Sequence, residues 1–410
     1  SRQEDIYPLV YYYIAYGYQN LHRKENTEQA NCYMTMYVTL GENAAADGCF
    51  PHRTEDYIVL KSLAEEYHLA MAYYYLGCLL YDRRVYDESI EDYEESILRS
   101  PDFPTVHRNL ALAYYNVKKL PQRAYEEMEK AFALDETDAR VYLELDQLKK
   151  RLNVAVKERW SDMEKHFDLV ESRDDLYLEY VTLLNTLGEP EKALGLIKAR
   201  KFHQWEGGEG KVAAQYLTAL YQLAKAAVEK EDYAEAKELL LRAVGEYPHN
   251  LGEGKLESGQ ENNLYYLLGL VQEKLGEAKD AFESLTRACC GESEPVGMMY
   301  YNDQPPEMIY YQGLAYRMLG EEEQAVRRFQ KLVDYGREHI RDDVKIDYFA
   351  VSLPDLLIFE ENLNERNRKH CLFMMSLGLK GLGRIDEAEK CAEELLAMDN
   401  AHQEIRVHDL

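Results

Sequence analysis

Five turns between residues 188 and 389 share one pattern, which constrains the fold more than any other feature of the sequence. Each begins with glycine or an acidic residue, and an alanine follows five residues later. The five are GEPEKAL (188–194), EDYAEAK (231–237), GEAKDAF (276–282), GEEEQAV (320–326) and GRIDEAE (383–389). Glycine permits a sharp turn between two helices, and alanine lets the paired helices pack closely. The recurrence predicts a series of helical hairpins.

The segment Ala70–Pro101 shows the complete hairpin. Apolar residues recur at spacings of three and four on both sides of a break at Asp82–Arg84, as expected for two amphipathic helices. Gly77 and Ser89 are small residues at positions where the two helices must approach closely. The layout resembles a tetratricopeptide repeat, whose period is about 34 residues, and the next segment, Pro104–Glu136, repeats it. The residues that carry the resemblance include Leu76, Gly77, Tyr86 and Pro101.

Hairpins of this kind bury their apolar faces by stacking, so the sequence predicts an all-α, tetratricopeptide-like solenoid wound as a right-handed superhelix of helical hairpins with a concave face. We expect one continuous solenoid in three parts. Residues 1–68 form an N-terminal helical hairpin region, 69–153 hold two regular repeats plus a partial one, and 154–410 hold longer-period repeats with extended loops. Pro354 lies in the longest connection and argues against one continuous helix there.

The composition limits the classes of partner. The formal charge of −27 argues against nonspecific binding to nucleic acid or an anionic membrane, because both reward clustered lysine and arginine. No apolar run is long enough to span a bilayer. The seven cysteines show neither a disulfide framework nor a Cys-x-x-Cys zinc pattern. We therefore expect a cytoplasmic protein with no cofactor, no metal site and no catalytic residues.

The tetrapeptide Gly-Glu-Gly-Lys occurs twice, ending at Lys211 and at Lys255. A phosphate-binding P-loop needs Gly-x-x-x-x-Gly-Lys-Ser/Thr between a strand and a helix. Here Trp205 and His249 occupy the positions of the first glycine, and no strand precedes either loop. Two interpretations stay open. Either glycine ends one helix and lysine opens the next, or the two loops lie side by side on one edge of the solenoid and display binding side chains.

The second interpretation defines a candidate site that we call the loop ridge. An exposed tryptophan flanked by carboxylates and lysine is able to stack on a sugar ring or to anchor a protein partner. The candidate residues are His203, Trp205, Glu206, Glu209, Lys211, Glu253 and Lys255.

A second candidate site is the concave groove formed by the first helices of the regular repeats. In related repeats, groove-facing residues of the first helix bind extended peptides. By spacing, the candidate groove residues are Tyr74, Cys78, Tyr81, Arg108, Leu112 and Tyr115. This surface predicts a protein or peptide partner.

Several stretches also resemble the C-terminal part of a bacterial family of unknown function. They include FPHRTEDYIVL (50–60), RKFHQWEGGEGKV (200–212), YPHNLGEGKL (247–256) and VKIDYFAVSLPDLLIFE (344–360). In that family a tetratricopeptide-like region follows an N-terminal β-rich domain similar to galactose-mutarotase-like sugar-binding folds. The resemblance implies that this chain is the helical part of a larger, carbohydrate-related protein. The start at Ser1 without methionine leads us to expect a fragment or a processed product.

The sequence therefore predicts a noncatalytic scaffold that binds a protein partner or its own N-terminal β domain. The alternative is that the loop ridge contributes to a glycoside-binding or glycoside-processing site together with that domain. Carbohydrate would then be a ligand, and the full-length protein would be a carbohydrate-active enzyme.

Overall fold

The computed structural model describes residues 7–25, 27–205, 207–255, 259–297, 303–345 and 358–408. Within these ranges every regular element is a helix. The helices fall into two compact units. Unit 1 is Ser1–Leu148 with Ile358–Glu360, and unit 2 is Lys149–Leu357 with Glu361–Leu410. The predicted all-α solenoid class is confirmed.

Unit 1 contains the helices α1 to α7 and most of α8. Their bounds are α1 (Pro8–Glu25), α2 (Glu28–Glu42), α3 (Thr54–Tyr67), α4 (Ala70–Asp82), α5 (Tyr86–Arg99), α6 (Pro104–Asn116), α7 (Pro121–Leu134) and α8 (Ala139–Arg151). The pairs α1–α2, α4–α5 and α6–α7 pack as hairpins.

Unit 2 contains the remaining helices of the described residues. Their bounds are α9 (Val156–Lys165), α10 (Phe167–Ser172), α11 (Asp174–Thr186), α12 (Pro190–Ala199), α13 (Lys211–Glu229), α14 (Tyr233–Val244), a 3-10 turn (His249–Leu251), α15 (Asn262–Lys274), α16 (Ala278–Ala288), α17 (Pro306–Met318), α18 (Glu322–His339), α19 (Leu363–Gly381), α20 (Ile385–Met398) and α21 (Gln403–Val407). Five consecutive pairs pack as hairpins: α11–α12, α13–α14, α15–α16, α17–α18 and α19–α20. Pro354 lies outside the described residues.

The turns between paired helices share one backbone geometry. The five turn residues predicted from the sequence all have positive φ angles, from 60° at Glu231 to 81° at Gly320. After each of them, the next amide donates to the carbonyl five residues earlier at 2.9–3.0 Å, which closes the end of the first helix. The alanines five residues after the turns are 0–4% exposed. The predicted combination of a left-handed turn and a buried alanine is therefore present in every one of these five hairpins.

The two helices of a hairpin approach most closely at a small residue of the first helix. At Gly77 an added Cβ would stand 2.5 Å from the ring of Tyr93. The Ser89 hydroxyl, also buried, donates to the Gly77 carbonyl at 2.7 Å. Gly313 repeats the arrangement in unit 2, with its Cβ position 2.5 Å from the ring of Phe329. The close helix–helix contact that the sequence predicts at Gly77 and Ser89 is confirmed.

The N-terminal region has one helix more than the degenerate hairpin that the sequence predicts. Helices α1 and α2 form that hairpin, but α3 follows and packs against α1 and α4. The carboxylate of buried Asp56 caps the N-terminal end of α3, because it accepts hydrogen bonds from the backbone amides of His52 and Arg53 at 2.9 Å. The hydroxyl of Tyr13 in α1 donates to the same carboxylate at 2.7 Å, which ties the two helices together.

We predict that Gly77→Ala lowers the free energy of unfolding by about 1–3 kcal/mol, because its methyl group overlaps the ring of Tyr93. The matched control is Gly17→Ala in the same unit, where no atom lies within 4 Å of the added Cβ. That change should raise stability by about 0.5–1 kcal/mol, since alanine favours the helix. Urea unfolding of the full chain measures both. Equal stability of the two variants would contradict the close approach.

Candidate interaction sites

The two loops of the loop ridge are joined by hydrogen bonds. Glu253 of the second loop caps helix α13, since its carboxylate accepts from the backbone amides of Gly210 at 2.7 Å and Ala213 at 2.8 Å. The amide of Phe202 in the first loop donates to the carbonyl of Asn250 at 2.8 Å. The loops are therefore neighbours in unit 2. Glu253 of the second Gly-Glu-Gly-Lys caps helix α13, and this helix begins at Lys211 of the first Gly-Glu-Gly-Lys.

The two lysines of the repeated tetrapeptide have different roles, which corrects part of the helix-boundary interpretation. Lys211 opens α13 directly after Gly210, whose φ is 73°. Lys255 opens no helix, because α15 begins seven residues later. Its ammonium donates instead to the carbonyl of Val244, the last residue of α14, and pairs with Glu261 at 2.8 Å. A lysine in that position satisfies a carbonyl that the helix leaves without a partner.

A shallow surface depression lies beside Trp205. The indole ring packs on the backbone of Gly208, where an added Cβ would stand 2.2 Å from the ring, so that only glycine fits. Glu206 lies outside the described residues, and among the described ridge residues Lys211 and Lys255 do not line the depression. Four ridge residues do line it: His203, Trp205, Glu209 and Glu253.

Tyr74 and Arg108, two of the six predicted groove residues, make contacts that stabilise unit 1. Tyr74 is 7% exposed, and its ring meets that of Phe103 edge-on with 4.9 Å between the ring centres. Arg108 donates two hydrogen bonds, of 2.6 and 2.7 Å, to the fully buried carboxylate of Glu144 in α8. A buried carboxylate is costly without its cation, so Arg108 stabilises the unit. The remaining four are half-buried: Cys78, Tyr81, Leu112 and Tyr115.

The segment Ile358–Glu360 lies beside the C-terminal end of α6, next to Tyr115. The side-chain amide of Asn116, the last residue of α6, donates to the carbonyl of Ile358 at 2.9 Å. Its carbonyl oxygen accepts from the amide of Glu360, also at 2.9 Å. One side chain therefore satisfies the two main-chain groups on either side of Phe359. This is a contact with the backbone of a non-helical segment, which bends at Ile358 and Phe359, rather than a contact between helices.

Side-chain contacts complete the attachment of this segment. Phe359 is fully buried, and its ring meets that of Tyr115 edge-on at 5.1 Å between the ring centres. Lys119 pairs with Glu360 at 2.5 Å. Burial raises the pKa of Tyr81, and the nearby carboxylate of Glu360 adds to this shift. Two of the predicted groove residues, Tyr81 and Tyr115, are thus close to the segment.

The contacts of the segment Ile358–Glu360 contribute different amounts of free energy to its attachment. Burying a phenylalanine side chain stabilises by about 1.5–3 kcal/mol, and each neutral hydrogen bond adds about 0.5–1.5 kcal/mol net. The side chains of Lys119 and Glu360 are each 65% exposed, and such surface ion pairs contribute about 0–1 kcal/mol. Phe359 and the two bonds of Asn116 therefore dominate the attachment.

In unit 2 the short helix α21 lies on α11 and α13, the first helices of two hairpins. Gln215 of α13 donates to Gln403 at 2.8 Å, and Gln403 donates back at 3.1 Å. Gln403 also donates to the hydroxyl of Thr186 in α11 at 3.2 Å. Lys225 of α13 donates to the carbonyl of Val407 at 2.9 Å. A second segment from late in the chain is therefore held by polar side chains on first helices.

His408 follows α21 and is buried beside two tyrosine rings. Its Nδ1 lies 3.1 Å from the hydroxyl of Tyr311, which in turn lies 2.6 Å from the hydroxyl of Tyr221. Burial, together with the nearby charge of Lys225, lowers the pKa of His408 to about 3. The imidazole is therefore neutral at physiological pH, and its protonation would place a charge inside unit 2.

Sequence reasoning missed Asn116, Gln403 and His408 as attachment points. Asn116 directly follows the groove residue Tyr115, but no periodicity marks it as different from other helix-terminal residues. One signal was present. The interval of 63 residues between Gly320 and Gly383 exceeds the 44 between Gly276 and Gly320, which indicates that part of the chain lies outside the hairpins.

Within the part of the chain that the structure describes, no group of three or more His, Cys, Asp and Glu side chains is arranged to hold a metal ion. None of the helices in those ranges has the length and apolar character needed to cross a bilayer.

Comparison with known families agrees with the hairpin geometry. Sequence models described as tetratricopeptide repeat match residues 74–139 and 221–295, and another of the same description matches 307–335. The chain contains tetratricopeptide repeats. The first match spans most of α4 and all of α5 to α7 in unit 1, and the other two fall in unit 2. These repeats support a scaffold for protein–protein interaction.

Three solved structures match parts of this chain at low sequence identity. PilW, a widely conserved type IV pilus biogenesis factor, is 13% identical over 56% of this chain and 92% of its own, with a TM-score of 0.32. MamA is 17% identical over 64% and 95%, with a TM-score of 0.19. The structure of Naa15/Naa10 bound to HypK-THB matches at 12% identity over 83% and 52%, with a TM-score of 0.33. At these scores the likenesses carry no functional argument.

We predict that His408 makes the stability of unit 2 fall in mild acid. The unfolded chain takes up a proton on this residue below about pH 6.5, whereas the folded chain does so only near pH 3. The stabilisation is complete above about pH 6.5 and is lost as the pH falls towards 3, by at most about 1.4 kcal/mol per pH unit. His408→Gln cannot take up this proton.

Urea unfolding at pH 7.0 and pH 5.0 tests this expectation, with His408→Gln as the reference for all other titrating groups. The stability difference between the unmodified chain and the variant should shrink by about 2 kcal/mol on acidification. Parallel pH profiles of the two proteins would contradict the neutral, buried imidazole.

Proposed function

We propose that the chain is a noncatalytic interaction scaffold and that the surface of α4 and α6 around Asn116 in unit 1 binds a non-helical segment of a partner protein. The observation that carries this proposal is the pair of hydrogen bonds from Asn116 to the main chain on either side of Phe359. A side chain that satisfies both a carbonyl and an amide recognises main-chain groups rather than a particular side chain.

The chemistry of the repeat supports a binding role for this surface. The paired second helix buries the other face of the hairpin, as at Gly77 and Tyr93, so the first helix keeps a face that a segment from elsewhere can cover. Extended peptides gain affinity from main-chain hydrogen bonds and specificity from pockets for individual side chains. Asn116 supplies hydrogen bonds to the main chain, and Tyr115 supplies a contact with the side chain of the bound segment.

Selection from a library of random peptides displayed on phage tests this function. The bait is the full chain with Phe359→Ala, which weakens the hold of the chain's own segment. Peptides that bind this bait should lose binding when Asn116→Ala is added, because their backbone loses both hydrogen bonds. They should keep it with Asn31→Ala, a matched change at an exposed asparagine of α2. If no peptide depends on Asn116, the surface is not a peptide-binding site.

A second candidate function belongs to the loop ridge. The observation that favours it is the half-buried ring of Trp205 at the depression lined by His203, Glu209 and Glu253. Aromatic rings beside carboxylates are able to stack on sugars, and the family resemblance associates such a helical region with a sugar-binding β domain. On this hypothesis the ridge contributes to a carbohydrate site or contacts that domain.

Binding to a glycan array measures this second function. If it is right, the full chain binds a glycan and Trp205→Ala reduces the signal by about tenfold or more, since the stacking surface is removed. The control is Phe50→Ala, which removes an aromatic ring that is 75% exposed elsewhere in the chain. Glycan binding that survives Trp205→Ala, or no glycan binding at all, would remove the support for a sugar site at the ridge.

A further inference from the structure

We propose that the surface around Asn116 selects non-helical peptide segments with an aromatic residue followed by an acidic one, and that the chain's own Ile358–Glu360 competes with them for this surface. This inference rests on the proposed function and specifies the chemistry of the partner. The chain itself supplies the evidence, because a segment of this kind already occupies the surface.

The aromatic residue is the main determinant of selection. Phe359 is fully buried although it belongs to none of the helices, and its ring meets the ring of Tyr115 at an interplanar angle of 71°. An aliphatic side chain could be buried there, but it would lose the edge-to-face contact. An alanine in place of Phe359 would lose both the buried apolar surface and the edge-to-face contact.

The two hydrogen bonds of Asn116 fix the backbone of the ligand. They require a free carbonyl before the aromatic residue and a free amide after it. Proline has no amide hydrogen, so a proline directly after the aromatic residue removes one of the two bonds. A helical ligand would use these backbone groups internally, and the site therefore accepts a non-helical segment.

The acidic residue has a smaller effect. Lys119 pairs with Glu360 while both side chains remain largely exposed, so the pair is screened by salt. The neighbouring Lys118 is engaged with Asp87 at 2.6 Å. One lysine thus sets the preference for an acid, in a chain whose net charge is −27.

A partner peptide and Ile358–Glu360 cannot be bound together, because both need the same two atoms of the Asn116 side chain. The chain's own segment is covalently attached, so its effective concentration is high, of the order of millimolar. Binding of a partner is therefore weakened in the unmodified chain and strengthened when the internal segment is impaired.

Fluorescence polarisation with a labelled synthetic peptide tests both parts of the inference. The probe carries residues 358–364 (IFEENLN) behind a fluorescein-Gly-Gly linker, and it is titrated with the full chain. We expect the Phe359→Ala chain to bind the probe about tenfold more tightly than the unmodified chain does. Should Phe359→Ala impair folding, the chain variant Glu360→Pro, which removes the internal amide donor and the carboxylate paired with Lys119 but keeps Phe359, replaces it.

Variants of the probe test the chemical class. Exchange of its phenylalanine for alanine should weaken binding to the Phe359→Ala chain by about tenfold or more. Proline after the phenylalanine should weaken it by a similar factor. Glutamine at the same position should weaken it by less than about fivefold, and this difference should vanish at high salt.

The outcomes separate this inference from the proposed function. Equal binding of the probe to the unmodified and the impaired chains overturns the competition. Equal binding of the phenylalanine and alanine probes overturns the aromatic selection, even if the library yields other peptides that depend on Asn116. If the library also yields none, the proposed function fails together with the inference.

Discussion

The close approach of two helices across a left-handed turn is the constraint on which the rest of the structure depends. A residue with positive φ reverses the chain, and an alanine five residues later is buried in the interface, as at Gly320 and Ala325. Larger residues at the closest contact would overlap the facing ring, as at Gly77 and Tyr93. Small contact residues bury little apolar area, so the hairpins are stabilised mainly by the large side chains that they pack against neighbouring hairpins.

This arrangement leaves one face of each first helix for another part of the chain or another molecule. In unit 1 the segment Ile358–Glu360 lies on that face, and in unit 2 helix α21 lies on α11 and α13. Side-chain amides make the decisive polar contacts in both units, at Asn116 and at Gln215 with Gln403. An amide can donate and accept at once, which suits a surface that must satisfy polar groups of an incoming segment. The same property makes these faces candidates for binding partner proteins.

The sequence predicted the hairpins because their determinants are local. The turn residue and the alanine are five positions apart, and Gly77 and Ser89 belong to one repeat. It could not predict the attachments, which join residues far apart in the chain: Asn116 and Ile358 are 242 positions apart, and Glu253 and Gly210 are 43 apart. The repeated Gly-Glu-Gly-Lys suggested equivalent loops, yet Lys211 opens a helix and Lys255 supports the end of another. The two identical tetrapeptides have different structural roles because the residues that contact them in the folded chain differ.

Hydrogen exchange of the Glu360 amide tests the central claim most directly. This amide lies outside the helices and has Asn116 as its acceptor, so its exchange reports on that contact. Residue-resolved mass spectrometry should find exchange slower by about tenfold or more than in a free peptide. Asn116→Ala should remove this protection, and Asn31→Ala should leave it unchanged. Exchange of Glu360 at the rate of a free peptide in the unmodified chain would contradict the account.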